Sequence, residues 1–258
     1  MKIGIVGVGF VGGAVKHAFE LARAQLICID PAKGYTSTYT DLADCSAVFV
    51  CVPSPVQEDG SCNTSYLEAV MLQLAGYDKV IISKTTAPAD TYLKLQATYP
   101  NLVHTPEFLR AVSANSDYLS QTFTIIGGHP EYCDQADTVL KFAQKYIVNT
   151  AKIPLGEACI VKYVENCFLA TKVTFMNEIY QLCQTVGLDY NIVKQAIQLD
   201  TRQGNSHFDV PGPDGLPGYG GHCFPKDTSA MLKYARDHGV DLTVLNQVVT
   251  ANKIIRNS

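Results

Sequence analysis

Short apolar runs recur along the first part of the chain, at 2–6 (KIGIV), 25–30 (QLICID), 47–52 (AVFVCV), 79–84 (KVIISK), 101–105 (NLVHT), 123–128 (FTIIGG) and 145–150 (KYIVNT). They are continuous in Val and Ile rather than alternating, the pattern of strands in a parallel sheet covered on both faces. Amphipathic stretches such as TSYLEAVMLQLAG and PADTYLKLQATYP lie between several of them. Repeated strand–helix units of this kind predict a doubly wound α/β domain over residues 1–153.

After residue 153 the period changes. From Glu157 to Val186 neither Pro nor Gly interrupts the chain, and Gly187 stands where a helix C-cap belongs. A helix of about thirty residues would be roughly 45 Å long. A small domain cannot cover such a length, and this one is apolar around much of its circumference. A second copy packed against helix 157–186, forming a homodimer, is therefore expected. Helical patterns return at YNIVKQAIQLD and DTSAMLKYARDHG. Residues 154–258 thus read as an all-helical domain built on one long helix. The Gly/Pro-rich stretch TRQGNSHFDVPGPDGLPGYGGHC is longer than an ordinary connection, and such loops are usually functional or disordered.

Composition narrows the function classes. The 258 residues are 47% hydrophobic and 17% charged, enough apolar material for a full core. A net charge of −4 provides no broad basic field, so nucleic acid and anionic membrane surfaces are not expected partners. The start, MKIGIVGVGFVGGAV with ARA at 22–24, superficially reads as a signal peptide. Five glycines break that run, and it is too short to span a membrane. The nine cysteines include no CxxC pair and no zinc-like spacing, and several sit inside apolar runs as small core residues. A reducing, cytoplasmic compartment and no metal are expected.

The glycines have a better explanation. GVGFVG (7–12) follows a strand and opens a helix. Gly7 permits the tight turn, Gly9 lets backbone N–H groups approach a pyrophosphate, and Gly12 allows close helix packing. The helix N-terminus adds its positive end. QLICID ends on Asp30 at the distance where an acid binds a ribose 2′-hydroxyl and repels a 2′-phosphate, which favours NAD over NADP.

A second constellation lies in the helical half. Lys162 and Asn166 are four residues apart on the long helix and share a face. Alone they also fit a solvated stripe, but their flanks are strongly apolar, and a lysine beside an amide can stabilise an oxyanion. Cys223 lies just before Pro225, and Pro favours the first helical turn. A helix starting at the cysteine would favour its thiolate. Asp227, four residues on, could act as a base or orient water. On these features alone, a loop cysteine beside a capping aspartate remains an equal reading.

Together these residues resemble the UDP-glucose/GDP-mannose dehydrogenase family over essentially the whole chain. The family pattern GxGGxCFPKD appears as GYGGHCFPKD (218–227), VxVPTP…DG as VCVPSPVQEDG (50–60), and STVPxGT as TTAPADT (85–91). SPEFLxEG appears as TPEFLRAV (105–112), and IKYxxNxFLAxKxxFxNE as VKYVENCFLATKVTFMNE (161–178). The resemblance implies NAD-dependent oxidation of the C6 hydroxyl of a nucleotide sugar to a carboxylate, with two NAD per turnover, no metal, and UDP-glucose as the expected substrate. It implies that Cys223 attacks the C6 aldehyde to give a thiohemiacetal and then a thioester. Lys162 and Asn166 would stabilise oxyanions, Asp227 would support a water or act as base, and Thr86 and Glu107 would position and activate the hydrolytic water. Without a sulfur nucleophile a simple dehydrogenase stops at the aldehyde. Cofactor contacts are implied for Gly7, Gly9, Phe10, Val11, Gly12, Asp30, Lys33, Val52, Pro53, Thr86 and Lys226. Substrate contacts are implied for Glu107, Phe108, Leu109, Lys162, Asn166, Tyr219, Gly220 and Cys223.

The chain departs from the pattern in places. Ala111 stands where a second glutamate is usual, so Glu107 would carry more of the hydrolysis. Asn63 replaces an aspartate after the DG turn, and Thr85 replaces a serine. The family pattern continues into a third, nucleotide-gripping domain, and the sequence ends at ANKIIRNS, about where that domain would begin. Two other readings follow: a β-hydroxyacid-type dehydrogenase, which shares the glycine loop and Lys-x-x-x-Asn pair but performs one oxidation, and an NAD-binding subunit whose partner supplies the nucleotide-binding domain.

Overall fold

The computed structural model of the chain describes residues 1–110 and 112–257. Ala111, the position of the expected second glutamate, lies outside the described residues. The chain forms two compact units. One comprises Met1–Pro55 and Cys62–Lys162, and the other comprises Val56–Ser61 and the chain from Tyr163 onward.

The first unit is built on an eight-stranded sheet. Its strands are β1 (Lys2–Val6), β2 (Gln25–Asp30), β3 (Tyr35–Thr36), β4 (Ala47–Val50), β5 (Ile81–Ser83), β6 (Leu102–His104), β7 (Phe123–Gly127) and β8 (Asn149–Ile153), in spatial order 3-2-1-4-5-6-7-8. Helices α1 (Phe10–Leu21), α2 (Ser65–Gln73), α3 (Ala89–Thr98), α4 (Ala114–Ser120) and α5 (Pro130–Ala143) connect them. β1 pairs in parallel with both β2 and β4. The winding therefore reverses between β1 and β4, the switch point at which doubly wound sheets bind ligands beyond their carboxyl ends. The apolar runs become central strands because both faces are covered: Ile3, Ile5, Phe49, Ile82 and Val103 share one core with Phe19 of α1 and Leu140 of α5.

The sheet is mixed where only parallel strands were expected. β3 runs antiparallel to β2, and β7 antiparallel to β6. The last strand lies at 149–153, not 145–150. Ile147 of that run is buried, but it anchors the turn leaving α5. β8 pairs only with β7 and is largely exposed, so this edge strand lacks the apolar signature of the central ones.

The second unit is helical, with no strand among its described residues. The long helix α6 (Leu155–Val186) begins in the first unit and continues through the second. It ends at Gly187, which takes the left-handed conformation at φ 74°. α7 (Tyr190–Ile197), α8 (Cys223–Asp237) and α9 (Thr243–Asn257) complete the unit. Met176, Cys183, Tyr190 and Phe208 form one small core, and Cys167, Leu232 and Leu245 another. α9 is an unanticipated helix, although Leu245, Val248, Val249 and Asn252 repeat at helical spacing. The segment Val56–Ser61 belongs here through α8: Ser229 Oγ donates to the Gly60 carbonyl at 3.3 Å.

Candidate active site

The glycine loop between β1 and α1 is shaped by backbone proximity. Gly7 has φ +85°, and a Cβ there would lie 2.6 Å from the Cys51 carbonyl oxygen. A Cβ on Gly12 would lie 1.9 Å from the Gly7 carbonyl oxygen, so α1 can start against the loop only without a side chain. Gly9 differs: a Cβ there would meet nothing within 4 Å. α1 takes no side-chain cap among the described residues, which leaves the first N–H groups, at Phe10, Val11 and Gly12, without that partner. The Asp30 carboxylate reaches across from β2 and accepts a hydrogen bond from the Val8 N–H at 2.8 Å. Open space at Gly9, uncapped helix donors and an acid at the end of β2 suit the pyrophosphate and ribose of a dinucleotide. Lys33 ends a short turn after Asp30. Thr85 clips the loop after β4, its hydroxyl accepting from Val52 N–H at 3.1 Å and donating to Val52 O at 3.0 Å. Pro53, next to Val52, is exposed, and Thr86, next to Thr85 after β5, is half-buried.

Deeper in the same unit is a buried polar cluster. Glu107 is 7% exposed and Lys162 is 4% exposed. The Lys162 ammonium donates to the Glu107 carbonyl at 2.5 Å and lies 3.4 Å from its carboxylate. The other Glu107 oxygen accepts from Leu109 N–H at 2.8 Å, and the Phe108 ring lies 5.3 Å from the Lys162 ammonium. Sequence reasoning missed two members of this cluster. Lys84 donates to the Thr105 hydroxyl at 2.9 Å and the Thr105 carbonyl at 3.2 Å. Burial pushes the Lys84 ammonium down to about 8, against the support of Cys51 and Glu107. His104 places Nδ1 at 3.1 Å from the Ser83 carbonyl. A carbonyl only accepts, so Nδ1 carries the proton, and burial drives the imidazole down to about 3, keeping it neutral. Their signal was legible: a lysine and a histidine terminate two apolar strands at their carboxyl ends.

In the second unit the order from Cys223 onward is set by α8. Cys223 is its first residue and is exposed. Pro225 sits in the first turn, where a missing N–H costs nothing. The Asp227 carboxylate is 1% exposed. One of its oxygens accepts from the Asn166 amide at 2.5 Å and the other pairs with the Lys226 ammonium. Asp227 therefore holds an amide of α6 and its own neighbour's ammonium. Cys167 contrasts with Cys223, since burial and the Asp227 charge push its thiol up to about 12. The loop before α8 is tied down: Asn252 accepts from Tyr219 N–H at 2.7 Å and donates to Tyr219 O at 3.0 Å. A Cβ on Gly220 would lie 2.6 Å from the Arg256 guanidinium, which pairs with Asp214 at 2.8 Å.

Residues 32–142 match the NAD binding domain of the UDP-glucose/GDP-mannose dehydrogenase family, and residues 156–254 match its central domain. The chain belongs to that family.

Its curated relatives include the UDP-glucose 6-dehydrogenase of Rickettsia prowazekii (strain Madrid E), 28% identical over 255 residues, covering 93% of this chain and 55% of the relative. The UDP-glucose 6-dehydrogenase of Pseudomonas aeruginosa PAO1 is 32% identical, covering 98% of this chain and 65% of the relative. The chain thus spans a little over half to two thirds of these relatives' length. A solved UDP-glucose dehydrogenase from the hyperthermophilic archaeon Pyrobaculum islandicum superposes with a TM-score of 0.83 at 25% identity, covering 98% of this chain and 68% of that one. The doubly wound architecture is the family's fold, and the cofactor is NAD, in keeping with the loop geometry. Among the described residues no group of His, Cys, Asp or Glu side chains could hold a metal ion, and no helix is long and apolar enough to cross a membrane.

Proposed function

We propose that the chain is an NAD-dependent nucleotide-sugar 6-dehydrogenase that oxidises the C6 hydroxyl of UDP-glucose in two steps to UDP-glucuronate. Residues 1–153 would serve as cofactor domain and 154–258 as catalytic helical domain. The observation that carries the reading is Cys223, exposed as the first residue of α8, one turn before the buried Asp227 that fixes Asn166. Family membership and the relatives' names support the substrate class.

Gly7, Gly9, Phe10, Val11, Gly12 and Asp30 would hold NAD, with Lys33, Val52, Pro53, Thr86 and Lys226 around it. When bound, NAD supplies the acceptor for the electron pair leaving C6 in each oxidation. Cys223 Sγ adds to the C6 aldehyde as the thiolate, forming the C–S bond of a thiohemiacetal. Oxidation gives a thioester, and water then adds to its carbonyl, expels the thiolate and leaves the carboxylate. Lys162 and Asn166, successive turns of α6, would donate to the oxyanions. Glu107 and Thr86 would position and activate the attacking water, Glu107 taking its proton, and the hydrogen bond from Leu109 N–H holds the Glu107 carboxyl in one orientation. Phe108, Leu109, Tyr219 and Gly220 would line the sugar.

The second unit's exposed apolar stripe supports a homodimer. Val164, Phe168, Phe175, Leu182 and Val186 of α6 are each more than half exposed. Their spacing is symmetric about Phe175. An antiparallel second copy would place Phe175 against itself, Phe168 against Leu182 and Val164 against Val186, the self-complementarity a two-fold interface requires.

Reaction stoichiometry tests the activity. Two NADH per sugar acid from UDP-glucose are expected, and Cys223→Ser should form no acid. A single NADH per substrate molecule, with activity surviving Cys223→Ser, would point instead to a β-hydroxyacid-type oxidation.

A further inference from the structure

The buried cluster of the first unit holds a lysine for which the proposed chemistry has no task. Lys84 follows β5, with its backbone N–H donating to Val50 O at 2.9 Å. Its side chain is 5% exposed, and lysines are almost never so deeply buried unless paired. Among the described residues its ammonium donates to Thr105, to the hydroxyl at 2.9 Å and to the carbonyl at 3.2 Å. Thr105 starts the segment 105–109 that carries Glu107. Residues 105–110 follow β6 without helix or strand, and the Thr105 N–H donates to Ser83 O at 2.9 Å, so the Lys84 side chain adds a second tie from the same strand end. The groups that act on the ammonium come from several elements: Cys51 after β4, His104 at the end of β6, Glu107 in the segment after it, the Tyr118 ring of α4 at 5.6 Å, and Lys162 of α6. Of these, only Glu107 carries a carboxyl group.

We infer that Lys84 is a positioning residue for Glu107, tying the segment 105–109 to the end of β5 and coupling electrostatically to the Glu107 carboxylate. A hydrophobic side chain of the same length would fill the space but supply neither tether nor charge. The inference rests on the proposed role of Glu107 for its consequence in turnover, and on the two Thr105 contacts for the tether.

The test has two arms, both on the full chain. In the first, lysine Cε is labelled with carbon-13 and titrated between about pH 6 and 11. The Lys84 signal, identified by its loss in Lys84→Arg, is expected to titrate near 8. In Glu107→Gln it should titrate lower by about one unit, because the anion supporting the ammonium is gone. A Lys84 signal unmoved by Glu107→Gln overturns the inference. In the second arm, Lys84→Met is expected to lower kcat by about tenfold or more with KM changed less than about twofold, and Lys84→Arg to restore much of the loss. Full activity in Lys84→Met, or Lys84→Arg no better than Lys84→Met, also overturns it. Should Lys84→Met fail to fold by circular dichroism, Thr105→Val removes the hydroxyl acceptor and should lower kcat several-fold; unchanged kcat there is equally fatal. A wild-type chain that turns over no nucleotide sugar sinks the functional reading, and the titration arm then decides this inference by itself.

Discussion

Three glycines within five residues should respond to alanine in three different ways. In Gly12→Ala the new Cβ would lie 1.9 Å from the Gly7 carbonyl oxygen, about 1 Å inside the 3.0 Å that real contacts respect. The partner is backbone, so α1 or the β1 turn must move. The cost should be about 4 kcal/mol or more, the exceptional end of single substitutions. For a chain of this size that lowers Tm by roughly 10 °C. In Gly13→Ala the Cβ meets nothing within 4 Å, and the helix gains roughly 0.5–1 kcal/mol of propensity, raising Tm by a few degrees. Gly9→Ala also meets no protein atom within 4 Å, and as an N-cap change it should cost only about 1 kcal/mol. Its methyl group nevertheless enters the space where N–H groups must approach a pyrophosphate, so NAD affinity should fall by about tenfold or more. Thermal melts with and without NAD, and calorimetric titration of NAD, separate the three. Wild-type NAD affinity in Gly9→Ala, or a wild-type Tm in Gly12→Ala, would refute the account of the loop.

His104 predicts acid lability. Its native-state pKa, near 3, lies below the ordinary histidine value of about 6.5, so between these pH values the unfolded chain binds a proton that the native chain does not. Stability must then fall with falling pH, by about 1.4 kcal/mol per unit from this residue alone, and be unaffected by it above about pH 6.5. Urea melts at pH 7 and pH 5 should show a difference near 2 kcal/mol that Phe at position 104 abolishes; an equal slope in His104→Phe would assign the lability elsewhere. Phe175→Glu should place two like charges against each other at the centre of the α6 stripe and give monomers in sedimentation, whereas a persistent dimer would move the interface off this face.

How much of this was legible differs from residue to residue. The switch-point loop was, because its parts are consecutive: strand, Gly7, Gly9, Gly12, helix, strand and Asp30 obey local backbone rules within 30 residues. The start of α8 at Cys223 was legible for the same reason, through Pro225. The edge strands were not. β8 shows exposed Asn149, Lys152 and neighbours because one flank faces solvent, and β3 has only two residues. Nor was the antiparallel pairing of β6 and β7, since strand direction leaves no mark on composition.

The polar contacts of the site were decided by the tertiary structure. Asn166 and Asp227 are 61 residues apart and Lys162 and Glu107 55 apart, and nothing in either neighbourhood names its partner. The sequence by itself determined which residue types were present and which backbone turns could form, because propensity, sterics and the hydrophobic period act over a few positions. Whether Asp227 stood free or was held by an amide and an ammonium, and whether Lys84 reached water or Thr105, depended on which surfaces the fold removed from solvent. Burial turns a weak polar preference into an obligatory pairing, and burial is a property of the assembled chain.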